Sequence, residues 1–122
     1  MKNTWTPQEA NRTLPLVKRI VADVLACGRE WRNLSKKTDD APTHERVAYL
    51  EGQLAELMRE LEGIGCTYKD WGFDKGLIDF PARIDGRSVY LCWRSDEPAV
   101  LHFHARDEGF DSRQPIPAEM LT

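Results

Sequence analysis

Leu77-Ile78-Asp79-Phe80-Pro81-Ala82-Arg83-Ile84-Asp85-Gly86-Arg87-Ser88-Val89-Tyr90-Leu91-Cys92-Trp93-Arg94 is the stretch that decides the fold. Two runs of apolar, aromatic and β-branched residues flank Asp85-Gly86. That dipeptide suits a two-residue type I′ turn, which needs positive φ at both central positions. The two runs therefore predict antiparallel strands over 77–84 and 87–94. A two-residue loop sets Ile84 opposite Arg87, and counting outward sets Asp79 opposite Cys92. Directly opposite residues share a face. Tyr90 and Arg94 fall on that face too. Ile78, Phe80, Val89, Leu91 and Trp93 fall on the other, which is the expected core side. Pro81 has no N–H to give a ladder, so the first strand is expected at an edge position.

Downstream, Ala99 to Ala105 reads as a third strand after a turn at Ser95-Asp96-Glu97-Pro98. Its register has two outcomes. With Arg94 facing Ala99, His102 and His104 join Leu91 on the apolar face. A one-residue bulge in the turn flips both histidines to the Asp79–Cys92 face. The tail from Asp107 holds Gly109, Pro115 and Pro117 and reads as an irregular, docked wrap. Phe110 is expected to anchor it in the core, and Arg113 to reach a sheet carboxylate or a ligand.

Upstream the periodicity is helical. Thr6-Pro7-Gln8-Glu9 has the capping-box pattern, with Pro at the first helical position. Pro15 predicts a break between a short helix near 7–12 and a long one starting near Leu14. Val17, Ile20, Val24, Cys27, Trp31 and Leu34 form a heptad seam, and Leu14, Val21 and Leu25 form a second stripe. After a polar connector over 36–42, Thr43 can cap a helix carrying Val47, Leu50, Leu54, Leu57, Leu61 and Ile64. Gly63 and Gly65 end it. Two matched seams make an antiparallel helical hairpin. The fold class is thus α+β: a long antiparallel helical hairpin over 1–65, then a small antiparallel sheet of about three strands and a wrapping tail over 66–122, in one domain.

Composition narrows the function. The chain has 122 residues, 41% hydrophobic and 30% charged, with a net charge of −3. Residues 1–65 carry 10 basic and 10 acidic side chains, residues 66–122 carry 7 and 10. No basic excess announces a nucleic-acid surface. No apolar run approaches the roughly 18–20 residues of a membrane span, and no signal-peptide core follows Met1. The three cysteines, Cys27, Cys66 and Cys92, are odd in number and lack C-x-x-C spacing, which points to a reducing cytoplasm.

Two polar groupings carry chemistry. Asp79, Cys92 and His104, with His102 two residues away, offer carboxylate, thiolate and imidazole, the donors of zinc and similar divalent metals. The plain alternative is a small core cysteine and satisfied strand histidines. Arg94 and Arg113, with Trp93 nearby, could form a pocket for a small anion, since guanidinium binds carboxylate and phosphate bidentately, and Asp79 is a further candidate ligand-binding residue. The plain alternative there is pairing with Asp96, Glu97 and their neighbours. No nucleophile elbow, Walker loop or dinucleotide loop occurs, and Cys92 with His102 or His104 is the sole nucleophile–base pair, so the chain reads as a binding domain before an enzyme.

The chain resembles an uncharacterised bacterial family catalogued as domain of unknown function 2203. The residues that carry the resemblance are Thr6-Pro7-Gln8-Glu9-Ala10-Asn11, Leu14-Pro15-Leu16-Val17, Lys69-Asp70 and Gly76-Leu77-Ile78-Asp79-Phe80-Pro81. They continue with Gly86, Val89-Tyr90-Leu91-Cys92-Trp93-Arg94, Glu97-Pro98, His104, Gly109-Phe110 and Arg113-Gln114-Pro115. The resemblance implies no activity, cofactor or partner. It implies that Asp79, Cys92, Trp93, Arg94, His104 and Arg113 belong to the family's pattern, while His102 stands where the family varies. Two functions remain in view: a domain that binds a small ligand or divalent metal at a polar site by the sheet, or a homodimeric interaction module. In the second, the hairpin's distal ends near Trp31 and Val47 meet a second subunit, without nucleic acid or membrane.

Overall fold

The computed structural model describes residues 4–37 and 40–122. Thr38 and Asp39 of the expected connector lie outside the described residues. Helix α1 spans Pro7–Leu34 and α2 spans Ala41–Ile64. Thr6 Oγ1 accepts from the Glu9 amide at 3.1 Å, and Glu9 Oε1 accepts from the Thr6 amide at 2.9 Å, which completes the capping box.

Pro15 does not break the helix. It is exposed, whereas Leu14 and Val17 on either side of it are buried. A proline inside a helix costs about 3 kcal/mol, and burial of Ala10, Leu14, Val17 and Val21 along the same helix outweighs that. The second helix also starts differently: Asp40, not Thr43, is the cap, its carboxylate accepting from the Thr43 amide at 2.8 Å. Gly65 ends α2 at φ 111°, a left-handed position that suits glycine. The two seams meet as expected, with Val17, Ile20 and Val24 of α1 and Leu50, Leu54 and Leu61 of α2 buried.

The sheet has five antiparallel strands among the described residues, in the order β1 (Thr67–Tyr68), β2 (Leu77–Ile84), β3 (Arg87–Arg94), β4 (His102–Ala105) and β5 (Gln114–Pro115). The central hairpin keeps its expected bounds. Asp85 and Gly86 have φ 52° and 78°, as a type I′ turn requires. The Pro81 strand does not take the expected edge position: β2 is the second strand of five, paired by β1 at Ile78 and Asp79, and beyond β1 the Trp5 amide donates to the Pro81 carbonyl at 2.7 Å. The two-residue strands β1 and β5 are too short to leave a periodic signal. The tail is therefore less irregular than expected, since Gln114–Pro115 extends the sheet.

The third expected strand begins at His102 and not at Ala99. A turn closed by the Glu97 amide on the Arg94 carbonyl (2.9 Å) is followed by Pro98 and Ala99 before the chain returns. Val100 is then taken out of the ladder by a side chain of α1. Its amide donates to Asn11 Oδ1 at 2.7 Å, and its carbonyl accepts from Asn11 Nδ2 at 3.1 Å. Pairing resumes with Cys92 opposite His102 and Tyr90 opposite His104. This is the one-residue shift, so both histidines stand on the Asp79–Cys92 face.

The core lies between the hairpin and the opposite face. Ile78, Phe80, Val89, Leu91 and Trp93 are all buried there, with Trp5, Leu14, Val17 and Val21. Two glycines permit the closest approaches: a Cβ on Gly28 would meet the Phe73 ring at 2.2 Å, and one on Gly76 would meet Val21 at 2.3 Å.

Candidate metal centre

Asp79 and Cys92 face one another across β2 and β3. His104 of β4 reaches them diagonally, one pair further along β3. Their donor atoms lie within 4.8 Å of one another, and all three residues are buried. His104 Nε2 stands 3.2 Å from Asp79 Oδ1, while Nδ1 lies 2.8 Å from the Ala105 carbonyl. A carbonyl only accepts, so Nδ1 carries a hydrogen. Nε2 then either holds a second proton, giving an imidazolium paired with Asp79, or presents a lone pair to the shared space. The second arrangement is how metal-bound histidines are oriented by a carbonyl behind them. Burial, and then the Asp79 carboxylate, push the Cys92 thiol up to about 12, with Arg113 opposing. The thiol is therefore a poor free nucleophile at neutral pH, because the thiolate is the reactive form.

A cavity of about 180 Å³ adjoins the three donors. Lys69, Tyr90, Arg106, Glu108 and Phe110 line it with them. Lys69 precedes Asp70, whose carboxylate accepts from the amides of Gly72, Asp74 and Lys75 and so orders the loop into β2. Tyr90 projects on the site face of β3, and Arg106 follows β4 directly.

The other expected site residues are placed as follows. Trp93 faces the core, is 1% exposed, and donates through Nε1 to the Glu97 carbonyl at 3.0 Å. It stands on the opposite side of the sheet from Asp79. Arg94 pairs with Asp96 at 2.6 Å, and this bond, aided by Lys75, holds the Asp96 carboxyl down to about 2. Arg113 makes a bidentate pair with Glu97, at 2.9 and 2.8 Å. Burial alone would push the Glu97 carboxyl up, but the Arg113 guanidinium and the Arg94 amide together hold it below its ordinary value. The guanidinium carbons of Arg94 and Arg113 lie 4.9 and 4.0 Å from the Phe110 ring centroid. Phe110 thus anchors the tail on the polar face, half-buried between two cations, and not in the core. His102 is opposite Cys92 but turns aside, with Nδ1 3.5 Å from Glu97 Oε2 and no hydrogen bond.

The sequence places the anion site on Arg94 and Arg113 and Tyr90 on the Asp79–Cys92 face, and gives no signal for Lys69 or Glu108. The loop over 69–76 has no periodicity, so nothing local brings Lys69 to the sheet. Tyr90 was readable from alternation alone.

Residues 3–116 match the family described as an uncharacterized conserved protein (DUF2203). The chain belongs to the DUF2203 family. That match spans the hairpin, the sheet and all three buried donors. Comparison with curated proteins and with solved structures gave no match.

Proposed function

We propose that this DUF2203 domain binds a divalent metal ion of the zinc type through Asp79, Cys92 and His104. The observation that carries the reading is the convergence of one carboxylate, one thiol and one imidazole within 4.8 Å, with the imidazole held by the Ala105 carbonyl. The 3.2 Å between His104 Nε2 and Asp79 Oδ1 is close to the roughly 3.3 Å that tetrahedral zinc imposes on N and O ligands at about 2.0–2.1 Å. Three protein ligands leave a fourth position, as in zinc sites that exchange a ligand and unlike closed structural sites. Binding must expel the Cys92 proton, so affinity rises with pH. The three free thiols suit a reducing cytoplasm. Titration with cobalt(II) tests the reading. One equivalent bound with a thiolate-to-cobalt absorption band is expected, lost in Cys92→Ser and His104→Ala. Absence of binding by the unaltered protein overturns it.

One observation favours a second reading, pairing of two copies through the hairpin. A groove of about 310 Å³ is lined by Trp31, Leu54, Met58, Trp71 and Phe73, and Trp71 is 59% exposed. Exposed aromatic surface of this kind marks contact sites. Light scattering at tens of micromolar should give twice 14.0 kDa, and a monomer overturns this reading.

A further inference from the structure

We infer that the cavity above the Asp79–Cys92–His104 centre seats a small oxyanion, one oxygen completing the metal's coordination and the remaining charge facing Lys69 and Arg106. The inference rests on the metal reading above. Both cations gather on one ring at the cavity wall: Lys69 Nζ lies 5.9 Å and Arg106 Cζ 4.4 Å from the Tyr90 centroid. Arg106 Nε donates to the Val89 carbonyl at 2.9 Å, which fixes the guanidinium and leaves its two terminal nitrogens without a hydrogen-bond partner among the described residues. Among the described residues, neither those nitrogens nor the Lys69 ammonium has a carboxylate within ion-pair distance. Nearby, Lys75, Arg94 and Arg113 each have one.

Charge and size then select the occupant. A divalent ion with the Asp79 carboxylate, the Cys92 thiolate and neutral His104 sums to zero. Lys69, Arg106 and the lining Glu108 leave one positive charge over. Guanidinium and ammonium groups facing a metal's open position are the partners of carboxylate or phosphate oxygens. At about 180 Å³ the cavity is smaller than the roughly 300–1,000 Å³ of pockets for drug-sized ligands. It therefore fits phosphate or a short carboxylate, not a nucleotide.

The test uses the full chain loaded with cobalt(II), with inorganic phosphate and acetate as separate probes and sodium chloride as the ionic-strength control. Either probe should shift the cobalt visible bands saturably. Lys69→Gln and Arg106→Gln should each weaken that response about tenfold, as expected for losing one charge-assisted contact, with cobalt affinity changed by less than about threefold. Both side chains are exposed, so folding survives, and the doubly substituted chain should lose the response. Cobalt bound normally with no response to either anion overturns this inference and leaves the metal reading standing. Undiminished response in the doubly substituted chain overturns it as well. Failure to bind cobalt overturns both.

Discussion

Burial sets the ionisation of two thiols, and the consequence for stability has a definite sign. Cys66 and Cys92 are both 2% exposed, and burial pushes each up to about 12. In the unfolded chain a thiol ionises near 8.5. Above that pH the unfolded state loses protons that the folded state keeps, so stability is full below about pH 8.5 and falls as pH rises toward 12. Each thiol contributes a slope of at most about 1.4 kcal/mol per pH unit. Thermal melts from pH 7.5 to 10.5 should show a falling Tm, with a shallower fall in Cys66→Ala. Loading with metal should also flatten the slope, because Cys92 is then a thiolate in the folded protein. Glu97 makes a second case. Its carboxylate receives both arms of Arg113 and the Arg94 amide, and the paired side chains are 13% and 11% exposed. Glu97→Ala strands the guanidinium and should cost about 3 kcal/mol, read by urea denaturation. A loss under about 1 kcal/mol would show that solvent replaces the carboxylate.

Elements were legible where local chemistry decided them. The Asp85-Gly86 turn and strict alternation settle β2, β3 and the facing of Asp79 and Cys92 without help from elsewhere. The second hairpin was not legible, because the parity of its loop depends on the Glu97 turn and on Asn11, far away in sequence. The site was therefore half-readable: two ligands followed from one turn, and the third waited on a non-local contact. Pro15 misled for a related reason, since a local rule predicts a break and tertiary packing overrides it. That override implies residual cost. Pro15→Ala restores one helical hydrogen bond, offset by about 0.4–1 kcal/mol from a more flexible unfolded chain. It should therefore stabilise by about 1–2 kcal/mol, and an unchanged denaturation midpoint would refute this.

At the scale of the molecule, the tail closes the polar face of the sheet. Phe110 and Arg113 cover it, and Ile116, 4% exposed, enters the core while its amide bonds to the Leu101 carbonyl at 2.9 Å. A chain ending at Ala105 loses all three contacts and β5. It should lose about 3–5 kcal/mol of stability, mostly from the apolar side chains, and an unchanged Tm would show the tail to be dispensable. The helical hairpin, by contrast, adds no donor to the centre, yet it governs it. Asn11, 89 residues before Val100 in the chain, holds that residue's amide and carbonyl. With Val100 held off the ladder, β4 enters one residue late and His104 arrives beside Asp79. Contacts so distant in sequence form late in folding, because their loop-closure entropy must be met first. During synthesis, then, a growing chain displays its carboxylate, thiol and imidazole apart from one another. The centre comes into being only when the segment around Val100 has closed on the helix that carries Asn11.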